Sequence, residues 1–211
     1  MRGFPPLLWH AVSDRSQKGD FFLQTTLILN GSPHPNGDTA HALQFLTAHL
    51  NGSVKQISAY TAKVAPCTDC RRCKIQAGCA IEDEMQQIYP LLESCDNLVL
   101  ASPLYFSELT GPLLSLCSRL QTYFSAAYFR NAPSPCKPKK ASVLLVGGGT
   151  GNPEKAYSTA RCVFRCLHVQ ECYPMTCCHA TDHMPVLEDA LFLRNLREMA
   201  DFLNTPLQSQ T

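Results

Sequence analysis

Continuous apolar runs alternate with stretches whose apolar residues fall at helical spacing along most of the chain. "FFLQTTLILNGS" (21–32) is rich in β-favouring residues and stops at Asn-Gly-Ser, after which "DTAHALQFLTAHL" (38–50) carries a helical pattern. "SVKQISAY" (53–60) reads as a second strand, and "DEMQQIYPLLESC" (83–95) as an amphipathic helix whose first turn holds acidic residues, where the helix dipole favours them. "DNLVLASP" (96–103) has the unbroken apolar character of a strand buried on both faces. A helix over "TGPLLSLCSRLQTYF" (110–124) follows, then a strand over "KKASVLLVGGG" (139–149) and a helix over "PEKAYSTARCVFRCLHV" (153–169). The last pair is "ECYPMTCCHA" (171–180) as strand and "LEDALFLRNLREMADFLN" (187–204) as helix.

Five strands alternating with five helices predict an α/β fold, a doubly wound parallel sheet covered on both faces, since a barrel needs eight such units. A length of 211 residues suits one domain. Residues 1–20 read as an N-terminal extension with no convincing signal peptide, and 21–211 as the domain, with an inserted cysteine loop at 64–82. Lys and Arg total 18 against 17 Asp and Glu, so no large field draws the protein to nucleic acid or an anionic membrane. No apolar run approaches the roughly 20 residues that span a bilayer. The expectation is a soluble, cytoplasmic protein. In a reducing compartment, 12 cysteines point to metal or redox chemistry rather than disulfides.

In an open α/β sheet, ligands bind at the carboxyl ends of the strands where strand order reverses. Three loops there are unusual. "GSPHPNGDTA" (31–40) offers backbone amides and hydroxyls at a helix start, which suits a terminal phosphate, although an ordinary turn with Asp38 as N-cap has the same composition. It is neither a Walker loop nor a G-x-G-x-x-G loop. "SPLYFSELTG" (102–111) offers amides and aromatic faces to a flat heterocycle, or aromatics for the core. "GGGTGN" (147–152) admits a closely approaching backbone or ligand, or is a flexible connection.

"CTDCRRCKIQAGC" places Cys67, Cys70, Cys73 and Cys79 at C-x2-C-x2-C-x5-C spacing. Such a loop aims three sulfurs inward with a fourth nearby, as a 4Fe-4S cluster requires. Zinc with four thiolates and a loop of free thiols are the other readings, the first disfavoured because structural zinc sites usually combine two separated pairs. "CCHATDHM" (177–184) mixes Cys and His, yet alternation along a strand separates Cys177 from Cys178. Most of the remaining cysteines read as small core hydrophobes.

"GSPHPNGDTA" resembles the GSPR-x-x-GNTA phosphate loop of the flavodoxin-like NAD(P)H-dependent FMN reductases, and "SPLYFSELTGPLLSLCSR" resembles their S-P-x-Y-x-x-x-x-T-G-x-L-K-x-x-x-D-R segment. With the cysteine loop between them, the resemblance is to the iron-sulfur flavoprotein branch and covers roughly residues 24–204. It implies strand order 2-1-3-4-5 with FMN at the switch point. It further implies that Ser32, His34, Asn36, Gly37, Asp38, Thr39 and Ala40 surround the FMN phosphate. Pro103, Leu104, Tyr105 and Phe106 would lie along the ring and ribityl chain, with Gly148, Gly149 and Thr150 bordering its other side. Departures are His34 for the usual Arg, Asp38 for Asn, and Leu114 and Ser118 for Lys and Asp, while Arg119 is retained. The implied activity is an NAD(P)H-dependent, FMN-containing oxidoreductase with a 4Fe-4S relay, in which the flavin carries the chemistry and no general base is needed. NAD(P)H, quinones or a ferredoxin-like protein would be its electron partners, and a homodimer or tetramer its assembly. A flavin-binding carrier or sensor without its own substrate is the alternative.

Overall fold

A computed structural model describes residues 24–207. The extension at 1–20 and the start of the domain at 21 lie outside the described residues. In chain order the elements are β1 (Thr25–Asn30), α1 (Asp38–Ala48), β2 (Ser53–Ser58), α2 (Met85–Ser94), β3 (Asn97–Pro103), α3 (Gly111–Ser118), α4 (Gln121–Arg130), β4 (Lys139–Val146), α5 (Glu154–Cys166), β5 (Val169–Cys172), β6 (Thr176–Cys178) and α6 (Ala190–Asn204). Short 3-10 turns occupy Arg72–Lys74 and Val186–Glu188.

The sheet is parallel and ordered β2-β1-β3-β4-β5, with β6 also pairing β4. This is the flavodoxin-like order that the resemblance implies. Pleating sends alternate strand residues to opposite faces. Leu27, Leu29, Leu98, Leu100, Val143 and Leu145 meet α2, α3, α4 and α5 on one face. Ile28, Val99, Ala101, Leu144 and Val146 meet α1 and α6 on the other. The same alternation acts at the start of β4, where two adjacent lysines are buried. Lys139 Nζ donates to the carbonyls of Leu92 and Cys95 at the end of α2, and Lys140 Nζ to those of Phe202 and Thr205 at the end of α6. Each cation thus satisfies helix-terminal carbonyls on its own face.

Three departures from the sequence reading have local causes. The last predicted strand is two pieces, because Pro174 between them has no N–H to give a ladder. The helix predicted over 110–124 breaks at Arg119–Leu120, where the amides of Arg119 and Leu120 bond three residues back to Leu116 and Cys117. Asp83 and Glu84 precede α2 rather than forming its first turn. Their carboxylates accept the amides of Ala65 and Lys63 and so fasten the approach to the cysteine loop.

Candidate functional site

The loops after β1, β3 and β4 meet at the carboxyl edge of the sheet. Gly31 donates to the Ala101 carbonyl at 2.7 Å, and the Thr110 hydroxyl donates to the Gly31 carbonyl at 2.8 Å. A side chain at Gly31 would stand 2.7 Å from Thr110 Oγ1, so the close approach of the two loops requires glycine. Beyond it, Asn30 Oδ1 accepts the Ser32 amide and Ser32 Oγ accepts the His34 amide, folding the loop on itself. Ser32, Thr39 and Ala40 are buried, while His34 and Asn36 are exposed at the rim. Gly37 is extended, and no side chain caps α1. The first amides of that helix therefore remain available to an anion.

Asp38 does not act as the N-cap considered from the sequence. Its Oδ1 accepts the Val186 amide at 3.1 Å, tying the start of α1 to the segment after β6.

After β3, Pro103 leads to Leu104, whose amide donates to the Val146 carbonyl at 2.8 Å. Tyr105 and Glu108 exchange two backbone hydrogen bonds at 3.0 and 3.1 Å, and the two residues between them have positive φ, Phe106 at 55° and Ser107 at 62°. These are the features of a type I′ hairpin turn, unusual for a residue as bulky as Phe. Phe106 is 100% exposed at its tip and Tyr105 43% exposed beside it, so neither aromatic packs inward. The hairpin is held to α5 by the Ala156 amide on the Ser107 carbonyl and the Thr159 hydroxyl on Glu108 Oε2.

After β4, the glycine loop is clasped by a turn that sequence reasoning did not place in the site. The amides of Thr181, Asp182 and Ala180 donate to the carbonyls of Gly147, Gly148 and Gly149 at 3.1, 3.3 and 2.9 Å. A side chain at Gly148 would meet both Asp182 carboxylate oxygens at 2.6 Å. Gly149, the last residue in the clasp, and Thr150 beyond it are exposed. Nothing local in 179–182 announces this role, since the contact spans more than 30 residues.

The cysteine loop borders a different cavity, lined by no residue of these three loops. Cys67, Cys70, Cys73 and Cys79 line one cavity of about 410 Å³ together with Ser118, Arg119 and Ser125. All four thiols are free. They share the cavity but not a point: among the described residues no three His, Cys, Asp or Glu side chains are grouped to hold a metal. Cys73 Sγ instead donates to Ser125 Oγ at 3.3 Å, and Cys79 acts electrostatically on Tyr89 and Arg119. In the 177–184 stretch, alternation buries Cys178 against Asp189 and leaves Cys177 half-buried on the other side.

α3, whose eight residues span roughly 12 Å, runs between these three loops and the cavity. Thr110 at one end touches Gly31, and Ser118 at the other accepts the Cys67 amide at 2.9 Å. Burial is the largest single influence on the Arg119 guanidinium and pulls it down, but the Asp83 hydrogen bond together with Tyr89, Cys79 and the Asp83 charge outweighs it, and the net shift is upward. Burial first, and then the neighbouring Cys79, push the Tyr89 hydroxyl well above its ordinary value.

The sheet order and the three convergent loops define a flavodoxin-like α/β protein with a ligand edge at its switch point. The chain belongs to the NADPH-dependent FMN reductase family, whose model matches residues 25–175. An "Iron-sulfur flavoprotein" of Archaeoglobus fulgidus is 27% identical over 128 residues, covering 59% of this chain and 55% of that protein. One of Methanosarcina thermophila is 32% identical over 94 residues, 44% of this chain and 46% of that protein. The chain thus spans about half the length of these curated relatives. Among solved structures, an NAD(P)H:quinone oxidoreductase from Methanothermobacter marburgensis superposes with a TM-score of 0.67 at 17% identity, covering 88% of this chain and 99% of that one. Azoreductase AzrA gives 0.60 at 15% identity, covering 85% and 99%. At these identities the likeness is one of fold.

Proposed function

We propose that the protein is an FMN-dependent oxidoreductase that draws electrons from NAD(P)H, with a 4Fe-4S cluster in the cysteine loop. The convergence of three loops at the carboxyl edge carries the reading of the flavin site. FMN, when bound, supplies acceptance of a hydride and release of electrons one or two at a time. The residues fit it. The uncapped start of α1, with the amides of Asp38, Thr39 and Ala40 and the hydroxyls of Ser32 and Thr39, holds the phosphate; Gly37 gives it room, and His34 and Asn36 form the rim. Pro103, Leu104, Tyr105 and Phe106 present one wall to the ring, with the exposed aromatics excluding water. Gly148, Gly149 and Thr150 form the opposite border, set in place by the 179–182 turn.

Cys67, Cys70, Cys73 and Cys79 supply an all-sulfur donor set in one cavity, which suits iron-sulfur chemistry better than a hard cation. Loading requires the loop to draw its sulfurs together. A 4Fe-4S cluster there would exchange single electrons. α3 then joins the two centres within one chain.

The electron partners that fit are NAD(P)H, quinones and ferredoxin-like proteins, in a cytoplasmic homodimer or tetramer. Among the described residues no helix is long and apolar enough to cross a membrane. Steady-state oxidation of NADPH and NADH with a quinone or free flavin, run anaerobically beside iron and labile-sulfide analysis, tests the proposal. It expects robust turnover and about four irons per chain. Flavin without turnover would make the protein a carrier or sensor, and flavin with neither iron nor sulfide would remove the cluster. A colourless protein with stoichiometric zinc would remove both.

A further inference from the structure

Arg119 is among the largest fully buried side chains of the described residues, its side chain 0% exposed, in the break between α3 and α4. A buried cation is tolerated only where its donors are matched. Arg119 Nη1 donates to the Ala65 carbonyl at 2.9 Å and to Asp83 Oδ2 at 2.5 Å, and Nη2 donates to the Ile81 carbonyl at 3.1 Å. Ala65 lies two residues before Cys67, and Ile81 two residues after Cys79. One planar guanidinium therefore grips both ends of the cysteine loop. Asp83, its counter-charge, also accepts the Ala65 amide, which closes the grip.

One nitrogen is left without any acceptor. Arg119 Nε is buried and has no acceptor, although an unmatched charged donor is costly. Arg119 also lines the cavity of the four cysteines, and of these Cys79 is the one that acts on its guanidinium electrostatically. A neutral thiol is a weak acceptor, whereas a thiolate or sulfide is a strong one. We infer that Arg119 is a positioning residue that latches the cysteine loop and holds its Nε–H in reserve for sulfur at Cys79 once the loop is loaded. This rests on the iron-sulfur reading for its second half and on geometry alone for its first.

Lysine at this position keeps the charge but cannot serve Asp83 and two carbonyls in the same fork geometry. It also lacks Nε.

The test uses the full chain and the variants Arg119→Lys and Arg119→Met. In metal-free protein, trypsin cleavage after Arg71, Arg72 and Lys74 reports how often the loop opens. The latch predicts cleavage faster by about threefold in Arg119→Lys and about tenfold in Arg119→Met, while cleavage elsewhere in the chain keeps its wild-type rate. Wild-type loop cleavage in Arg119→Lys would overturn the latch, whether or not Arg119→Met folds. In anaerobically reconstituted protein, Arg119→Lys is expected to keep its iron but show a lower midpoint potential, because a lost N–H···S bond disfavours the more negative, reduced cluster. An iron-loaded Arg119→Lys with the wild-type potential would overturn the sulfur-donor role. A wild-type chain that takes up no iron would sink the cluster reading together with that role, and the trypsin rates would still decide the latch.

Discussion

Asp38 Oδ1 accepts the amide of Val186 at 3.1 Å, so the first carboxylate of α1 is engaged by the segment after β6. Its charge nevertheless stays beside the helix start that would receive the FMN phosphate. Asp38→Asn keeps an oxygen for Val186 and removes the charge. FMN affinity is expected to rise about two- to fivefold, the size of one charge near a helix terminus. Fluorescence-quenching titration of FMN into the flavin-free chain measures it, and unchanged or weaker binding would place Asp38 outside the phosphate's reach.

Gly148 sits under the Asp182 carboxylate, with no room for a side chain. Gly148→Ala should displace the clasp and weaken FMN binding by about tenfold or more, since the displaced loop borders the ring. Asp182→Ala in the same background should recover part of the loss. Equal binding by Gly148→Ala and wild type would show that the glycine loop does not border the flavin.

Phe106 is held at φ 55° with its ring wholly in solvent. Glycine suits that turn position, so Phe106→Gly should stabilise the flavin-free chain by about 1 kcal/mol. If the ring shields the flavin, the same variant should bind FMN less well. Denaturant unfolding and flavin titration, run side by side, read the two effects. A loss of stability would contradict the strain, and unaltered FMN binding the shielding.

Burial pushes the thiols of Cys117 and Cys177 up to about 12, and those of Cys136 and Cys178 up to about 11, from an ordinary value of 9.0. A raised folded-state value means the unfolded chain loses these protons first. The stabilisation is complete below about pH 9 and is lost as pH climbs toward 11–12. Urea unfolding at about pH 8 and about pH 10 should show the fall, and Cys117→Ala should flatten part of it. Equal slopes in wild type and variant would refute the assignment to Cys117.

The buried strands were legible because a parallel sheet covered on both faces demands unbroken apolar runs, as in "NLVLAS" and "SVLLV". The break at Arg119 was not, since no Pro or Gly marks it, and the partners of its guanidinium, Ala65, Ile81 and Asp83, lie more than 30 residues back along the chain. The three loops that meet at the carboxyl edge could be found from composition at strand ends. The clasp by residues 180–182 could not, because those residues carry no phosphate or flavin signature and meet the glycines only through the sheet. The cysteine spacing led to the expectation of sulfurs converging on one centre, whereas the four line one cavity without meeting at a point. Ser125, which accepts from Cys73, lies 52 residues further along the chain in α4.

The visible absorbance spectrum of the anaerobically purified chain, before and after NADPH, tests the central claim most directly. The account predicts flavin bands at about one FMN per chain that bleach on reduction. A chain that retains no flavin, and acquires none when FMN is added in excess, would contradict it.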